Sequence, residues 1–141
     1  MTDDNFVIEP IGIVRSELVN RADAPMQGYQ GGYQGGYDAW LELNPEVASG
    51  LKGIQVGDEL MLLTWLHLSD RTVLQVQRHG DTALRGVFST RSPNRPNPIG
   101  LHRVSVLQID GLRVKVTPLE AIDGTPIVDM KPVLHPPVDE R

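Results

Sequence analysis

The sequence predicts a mainly β protein: an antiparallel sheet, closed into a barrel or folded into a sandwich, with one short helix and long loops. Three observations carry this. Short runs rich in β-branched and aliphatic residues recur along the 141 residues, turn formers (11 Pro, 14 Gly) punctuate them, and only one stretch has helical spacing. No strand–helix alternation of the parallel-sheet kind occurs, and neither the dinucleotide fingerprint nor a P-loop is present.

The elements follow in order. Phe6 to Ser16 is β-branched and interrupted by Pro10, as befits a first strand at an edge or with a bulge. Pro45 to Lys52 is the expected helix: Asn44 can cap it, Pro45 suits its first turn, Val47 and Leu51 share a face, and Gly53 can end it. Glu59 to Leu68 is nearly continuous apolar and reads as a strand buried on both faces, with His67 within it. Arg71 to Arg78 alternates Thr72, Leu74 and Val76 against Val73, Gln75 and Gln77. Ile99 to Ile109, Asp110-Gly111, and Leu112 to Val116 make a hairpin whose two turn residues would take positive φ.

Composition bounds the function. At 40% hydrophobic and 22% charged, the chain is expected to fold as one domain over residues 1–141. The absence of cysteine excludes a disulfide framework, a thiolate metal site and a cysteine nucleophile. Met1 to Asn5 is acidic and polar, unlike a signal peptide, and no apolar run approaches the ~18 residues of a membrane span. A soluble, cytoplasmic protein with no membrane partner is the expectation.

The net charge of -5 argues against coating nucleic acid by bulk charge, but the charge is unevenly placed. Residues 1–70 sum to -8, residues 104–141 to -2, and residues 71–103 to +5, with Arg71, Arg78, Arg85, Arg91, Arg95 and Arg103 against Asp81 alone. Arginine offers a planar fork for phosphate or carboxylate and a face for stacking on bases.

The most unusual stretch is Gly86 to Leu101, in which Pro93, Pro96 and Pro98 stiffen a loop bearing Arg91 and Arg95. Such a loop costs little to order on an anion, although a solvated polyproline-type loop has the same composition. Asn94 and Asn97 can bond base edges or cap nearby backbone. Residues 28–37 repeat Gly-Tyr-Gln with period four and read as a mobile loop, either a stacking platform of Tyr29, Tyr33 and Tyr37 or a tandem expansion. Asp123-Gly124-Thr125-Pro126 is by itself an ordinary turn, and Asp129 with Lys131 an ordinary solvated pair. His67, alone in an apolar strand, is more often a core residue than a catalyst. His79, His102 and His135 show no ligand spacing with it, so no metal is expected.

Three of these segments carry a resemblance. Ile11 to Ser16, Phe88 to Leu101 and Glu120 to Pro132, in this order, look like the TsaA/TrmO-like family of small β-barrel methyltransferases, and the likeness covers residues 8–134. It implies a barrel without a Rossmann site and the cofactor S-adenosyl-L-methionine, held at or near a homodimer interface. The implied reaction is methylation of the exocyclic amino nitrogen of threonylcarbamoyl-adenosine in the tRNA anticodon loop. Carried over by position, the cofactor-site residues are Pro25, Met26 and Gln27, then His67 and Leu68, Arg91, Leu101, and Asp123, Gly124, Thr125 and Pro126. Met26 stands where the family carries a basic residue.

Asp123 or His67 would accept the proton that the amino nitrogen loses, and Arg91, Asn94, Arg95 and Asn97 would face RNA. Longer members have an extra C-terminal domain, so a second copy is expected to complete this chain's site. A same-fold methyltransferase for another RNA or a small molecule, and a non-catalytic module binding cofactor or tRNA, are the alternatives.

Overall fold

The inward-facing side chains form a continuous apolar ring, because residues directly opposite in antiparallel strands share a face. In the computed structural model, which describes residues 5–19, 37–77, 80 and 82–135, the strands are β1 (Gly12–Arg15), β2 (Ala39–Leu43), β3 (Glu59–Trp65), β4 (Gln75–Gln77), β5 (Leu84–Gly86), β6 (Ile99–Asp110), β7 (Arg113–Thr117) and β8 (Pro126–Pro132). Six of them pair in the closed order β1-β2-β7-β6-β3-β8, while β4 and β5 form a separate two-stranded ribbon. Around the ring, Val14 lies opposite Leu41, Leu41 opposite Val114, Ala39 opposite Val116, Val116 opposite Val106, and Val104 opposite Leu60. All are buried. Val47, Leu51 and Ile54, partly buried, pack against this core.

The mainly β expectation holds, but several elements differ from their sequence patterns. Only Gly12 to Arg15 of the first run is strand; Phe6 and Val7 are 88% and 84% exposed, ahead of a proline that has no amide to donate. The third strand ends at Trp65 and alternates instead of burying both faces: Leu60, Leu62 and Thr64 point inward and the residues between them are half-buried. A closed sheet has one inner face, so only alternate residues reach it.

The Leu66 amide makes a last bond to the Pro98 carbonyl at 2.8 Å, after which the chain turns, and His67 is an exposed loop residue rather than a core one. The run from Arg71 shrinks to Gln75–Gln77, because the Asp70 carboxylate captures the Thr72 amide and hydroxyl at 2.8 and 2.6 Å and turns the chain there.

The predicted helix is a 3-10 segment, Pro45–Leu51, and Asn44 does not cap it: its side-chain amide donates to the Pro10 carbonyl at 3.1 Å. Gly53 does take positive φ just beyond. The long hairpin is present with its turn one residue later than the Asp-Gly pattern suggests. Asp110 pairs with Arg113, so Gly111 and Leu112 form the loop, and only Gly111 has positive φ. A glycine at the first loop position is the type II′ solution, which spares Asp110 a left-handed conformation. Pro25, Met26, Gln27, Arg78, His79 and the repeat up to residue 36 lie outside the described residues.

Gly12 is where the sheet closes, since it pairs with Leu43 on one side and Ile127 on the other. A Cβ there would overlap the Glu42 carbonyl oxygen, whereas one on Gly50 would meet nothing within 4 Å. Gly12→Ala is expected to cost about 1–3 kcal/mol in urea unfolding, with Gly50→Ala neutral or slightly stabilising. Equal midpoints for the two variants would contradict this account.

Candidate functional site at one rim of the sheet

Strand register brings the predicted residues to one rim. Trp65 lies opposite Ile99, Thr64 opposite Ile127, Arg15 opposite Trp40, and Ala39 opposite Val116. The ends of β1, β3 and β7 and the starts of β2, β6 and β8 therefore meet there. The segment with His67 and Leu68, the loop with Arg91 that leads into β6, and the turn from Asp123 to Pro126 all hang from it. Leu101 is two residues along β6, opposite Leu63 on the outer face and 46% exposed.

The arginine loop is organised from within. Arg95 does not present its guanidinium to solvent: Nη1 donates to the Thr90 and Ser92 carbonyls, both at 3.0 Å, and Nη2 to the Val87 carbonyl at 2.6 Å. Asn94 and Asn97 are engaged as well. Asn94 Oδ1 accepts the Asp70 amide at 2.9 Å, and Asn97 Oδ1 accepts Nη2 of Arg71 at 3.0 Å.

Arg71 also donates to the Pro96 carbonyl at 2.7 Å while its guanidinium stacks 5.0 Å from the centre of the Trp65 ring. One arginine thus ties the Pro/Asn loop to the turn after β3. Thr72, through its hydroxyl first and then its amide, holds the Asp70 carboxylate below its usual range, which keeps this junction anionic. Arg91 differs from all of these: it is exposed and has no bonded partner among the described residues.

The acidic turn is equally specific. Gly124 has φ +88, a conformation that favours glycine, and its amide donates to the Val14 carbonyl at 2.7 Å. Thr125, 2% exposed, closes the turn through its hydroxyl onto the Ile122 carbonyl at 2.6 Å. Asp123 is held by the Ser16 amide at 3.1 Å and by Nη1 of Arg15 at 3.5 Å, leaving a partly exposed carboxylate on the rim. Three residues earlier, Glu120 has a buried Oε1 with no hydrogen-bond partner among the described residues, and burial pushes its carboxyl pKa upward. A buried acceptor without a donor is uncommon and points to a missing partner.

Below the rim lies a polar pair inside the apolar ring. Thr64 Oγ1, on a fully buried residue, sits 2.9 Å from Nε2 of His102, whose pKa burial pushes down to about 4. Gly100 faces both; a Cβ there would collide with Thr64 Oγ1 and His102 Nε2. Sequence patterns did not single out this pair, Arg71 or the Glu120 carboxylate. The available signals were a lone threonine in the apolar run from Glu59 to Leu68 and a Gly-x-His spacing at the start of β6. Among the described residues no group of three His, Cys, Asp or Glu could hold a metal, and no helix is long and apolar enough to cross a membrane.

Comparison with known proteins identifies the family. The sequence model of the tRNA-methyltransferase O N-terminal domain matches residues 13–139. A "probable S-adenosyl-L-methionine-binding protein" of Methanothermobacter thermautotrophicus is 40% identical over 94% of this chain and 93% of its own length. An "S-adenosyl-L-methionine-binding protein" of Archaeoglobus fulgidus is 41% identical over 89% of this chain and 88% of its own. The crystal structure of TrmO from Pseudomonas aeruginosa superposes with a TM-score of 0.72 at 27% identity, over 92% of this chain. This chain spans 56% of the length of that structure's chain.

Two outcomes follow from the geometry. Arg95→Ala removes three carbonyl partners' donors and is expected to lower unfolding free energy by about 1–3 kcal/mol, while Arg91→Ala stays within about 0.5 kcal/mol of wild type in the same urea titration. His102 is the second case. Its folded pKa of about 4 lies below the ordinary imidazole value of 6.5, so below the latter the unfolded chain binds a proton that the native ring refuses. Its contribution, up to about 3 kcal/mol, is present above roughly pH 6.5 and lost as pH falls toward 4. Unfolding titrations across that window should flatten in His102→Gln.

Proposed function

The chain belongs to the tRNA-methyltransferase O N-terminal domain family, and on that premise we propose that it is an S-adenosyl-L-methionine-dependent tRNA methyltransferase. Its substrate in this reading is threonylcarbamoyl-adenosine in the anticodon loop, methylated on the exocyclic amino nitrogen by a homodimer acting in the cytoplasm. The observation that carries the proposal is the convergence at one rim of His67, Leu68, Arg91 and the Asp123–Pro126 turn, beside outward-facing Leu101. The segments flanking residues 25–27 reach the same rim, because Val19 follows β1 and Tyr37 precedes β2. Every described candidate residue is carried by the one six-stranded sheet or its loops, which supports reading residues 1–141 as a single domain.

The residues fit the cofactor. Its charged ends need a donor and an acceptor, and the rim offers Arg91 without a bonded partner among the described residues and the unpartnered buried Oε1 of Glu120. Leu68 and Leu101, 49% and 46% exposed, supply apolar cover for the adenosyl group. When bound, S-adenosyl-L-methionine supplies a methyl group activated on a sulfonium.

The chain's task is then to hold the nucleophilic nitrogen in line and to take its proton. Asp123 is suited to that, because the Ser16 amide and Arg15 fix its carboxylate while leaving it partly exposed. His67, exposed on the neighbouring loop, is the second acceptor, directly or through water. Arg91 serves the cofactor carboxylate, the threonyl carboxylate or a phosphate. Arg95, Asn94 and Asn97 act on RNA through the loop shape they maintain, since their side chains already bond protein atoms. The outward apolar strip of Trp65, Leu63, Ile99 and Leu101 supports the second copy as its cover.

The names of the relatives favour a second reading, a module that binds the cofactor or tRNA without turnover. The test is methylation of tRNA from a deletion strain with labelled cofactor and nucleoside mass spectrometry, alongside calorimetry with S-adenosyl-L-methionine. Wild type should bind the cofactor and methylate threonylcarbamoyl-adenosine, and Arg91→Ala should lose methylation while its circular dichroism is unchanged. Binding without turnover would select the module. Unchanged methylated nucleoside in the deletion strain would remove this substrate.

A further inference from the structure

Phe88 is 82% exposed on a turn that leaves it little freedom. Val87, immediately before it, is 1% exposed, and its amide donates to the Leu74 carbonyl at 2.9 Å. The Val87 carbonyl in turn accepts the Thr90 amide at 3.0 Å, the Thr90 hydroxyl at 3.1 Å and Nη2 of Arg95 at 2.6 Å. Ser89 Oγ closes onto the Gly86 carbonyl at 2.8 Å. An aromatic ring at a loop tip is ordinarily folded back or mobile; this one is held out on a short 3-10 segment, Val87–Ser89, braced from both sides. A braced, exposed ring keeps its apolar face available at low cost in entropy when something stacks on it.

We propose that Phe88 is a stacking platform for an unpaired base of the RNA substrate. The inference rests on the tRNA reading above and adds to it a contact residue that the cofactor site does not use. Charge selects RNA over a second copy of the chain. The segment from 71 to 103 carries +5 in a protein of net charge -5, and all its bases are arginine. Arg85 and Arg91, both exposed, flank Phe88 three residues to either side, and a polyanion complements them. An aromatic ring beside a basic surface is the arrangement by which unpaired bases are held, and stacking tolerates any base because every base has a π-face.

The experiment measures binding of a fluorescent hairpin RNA with an unpaired loop, and of the same strand annealed to its complement, to the full chain. Phe88→Ala should weaken hairpin binding about 5- to 150-fold with little effect on the duplex. Phe88→Trp should restore binding and Phe88→Leu should not, which separates stacking from apolar bulk. The slope of log Kd against log salt should be unchanged in Phe88→Ala, because the ring neutralises no phosphate. If Phe88→Ala binds the hairpin as wild type does, the stacking role is overturned and the tRNA reading stands. If wild type itself fails to bind the hairpin, the tRNA reading falls and takes the platform with it. A change of mass in light scattering for Phe88→Ala would make a second copy the occupant and overturn the proposal.

Discussion

The four-residue strand β1 is the piece on which the arrangement depends. Gly12 and Ile13 pair with β2 on one side and with β8 on the other, so one short ladder joins the first and last strands of the sheet. The lack of a Cβ at Gly12 is what lets the Glu42 carbonyl approach closely enough for that junction. The same join places Arg15 and Ser16 against Asp123 and seats the Gly124 amide on the Val14 carbonyl. Sheet closure and the acidic side of the rim are thus one structural event: contacts between residues more than 100 positions apart depend on a strand of four.

The arginines of the basic segment divide by role once their partners are known. Arg95 shapes a loop, Arg71 fastens that loop to the turn after β3, and Arg91 is left without a bonded partner among the described residues. Hydrogen bonds from a charged group to buried or half-buried carbonyls are worth more than the same contacts in water, so a guanidinium so used is part of the fold. The uneven charge along the chain coincides with the family's central motif, yet it overstates how many cations face outward.

Two buried polar features, one inside the sheet and one in the loop between β7 and β8, have different meanings. Thr64 and His102 satisfy each other, and Gly100 preserves the space they need, so this pair is internally complete and neutral at physiological pH. Glu120 is not complete: its buried oxygen has an acceptor's capacity and no donor among the described residues. That contrast is why the proposed cofactor site draws on Glu120 rather than on His102.

The sequence by itself determined the fold class, because periods of two residues, turn formers and the missing strand–helix alternation are local properties that survive without tertiary context. It also determined the family through the motifs from Phe88 to Leu101 and from Glu120 to Pro132. Element ends and side-chain roles were decided only in three dimensions. The inner face of a closed sheet admits alternate residues only, which turned an apolar run into a strand ending at Trp65 and put His67 in a loop. Whether an arginine or asparagine in a Pro-rich loop faces solvent or carbonyl depends on neighbours distant in sequence, and no spacing rule encodes it. The rim itself is a product of register: Trp65 opposite Ile99 and Thr64 opposite Ile127 bring three separate motifs to one place.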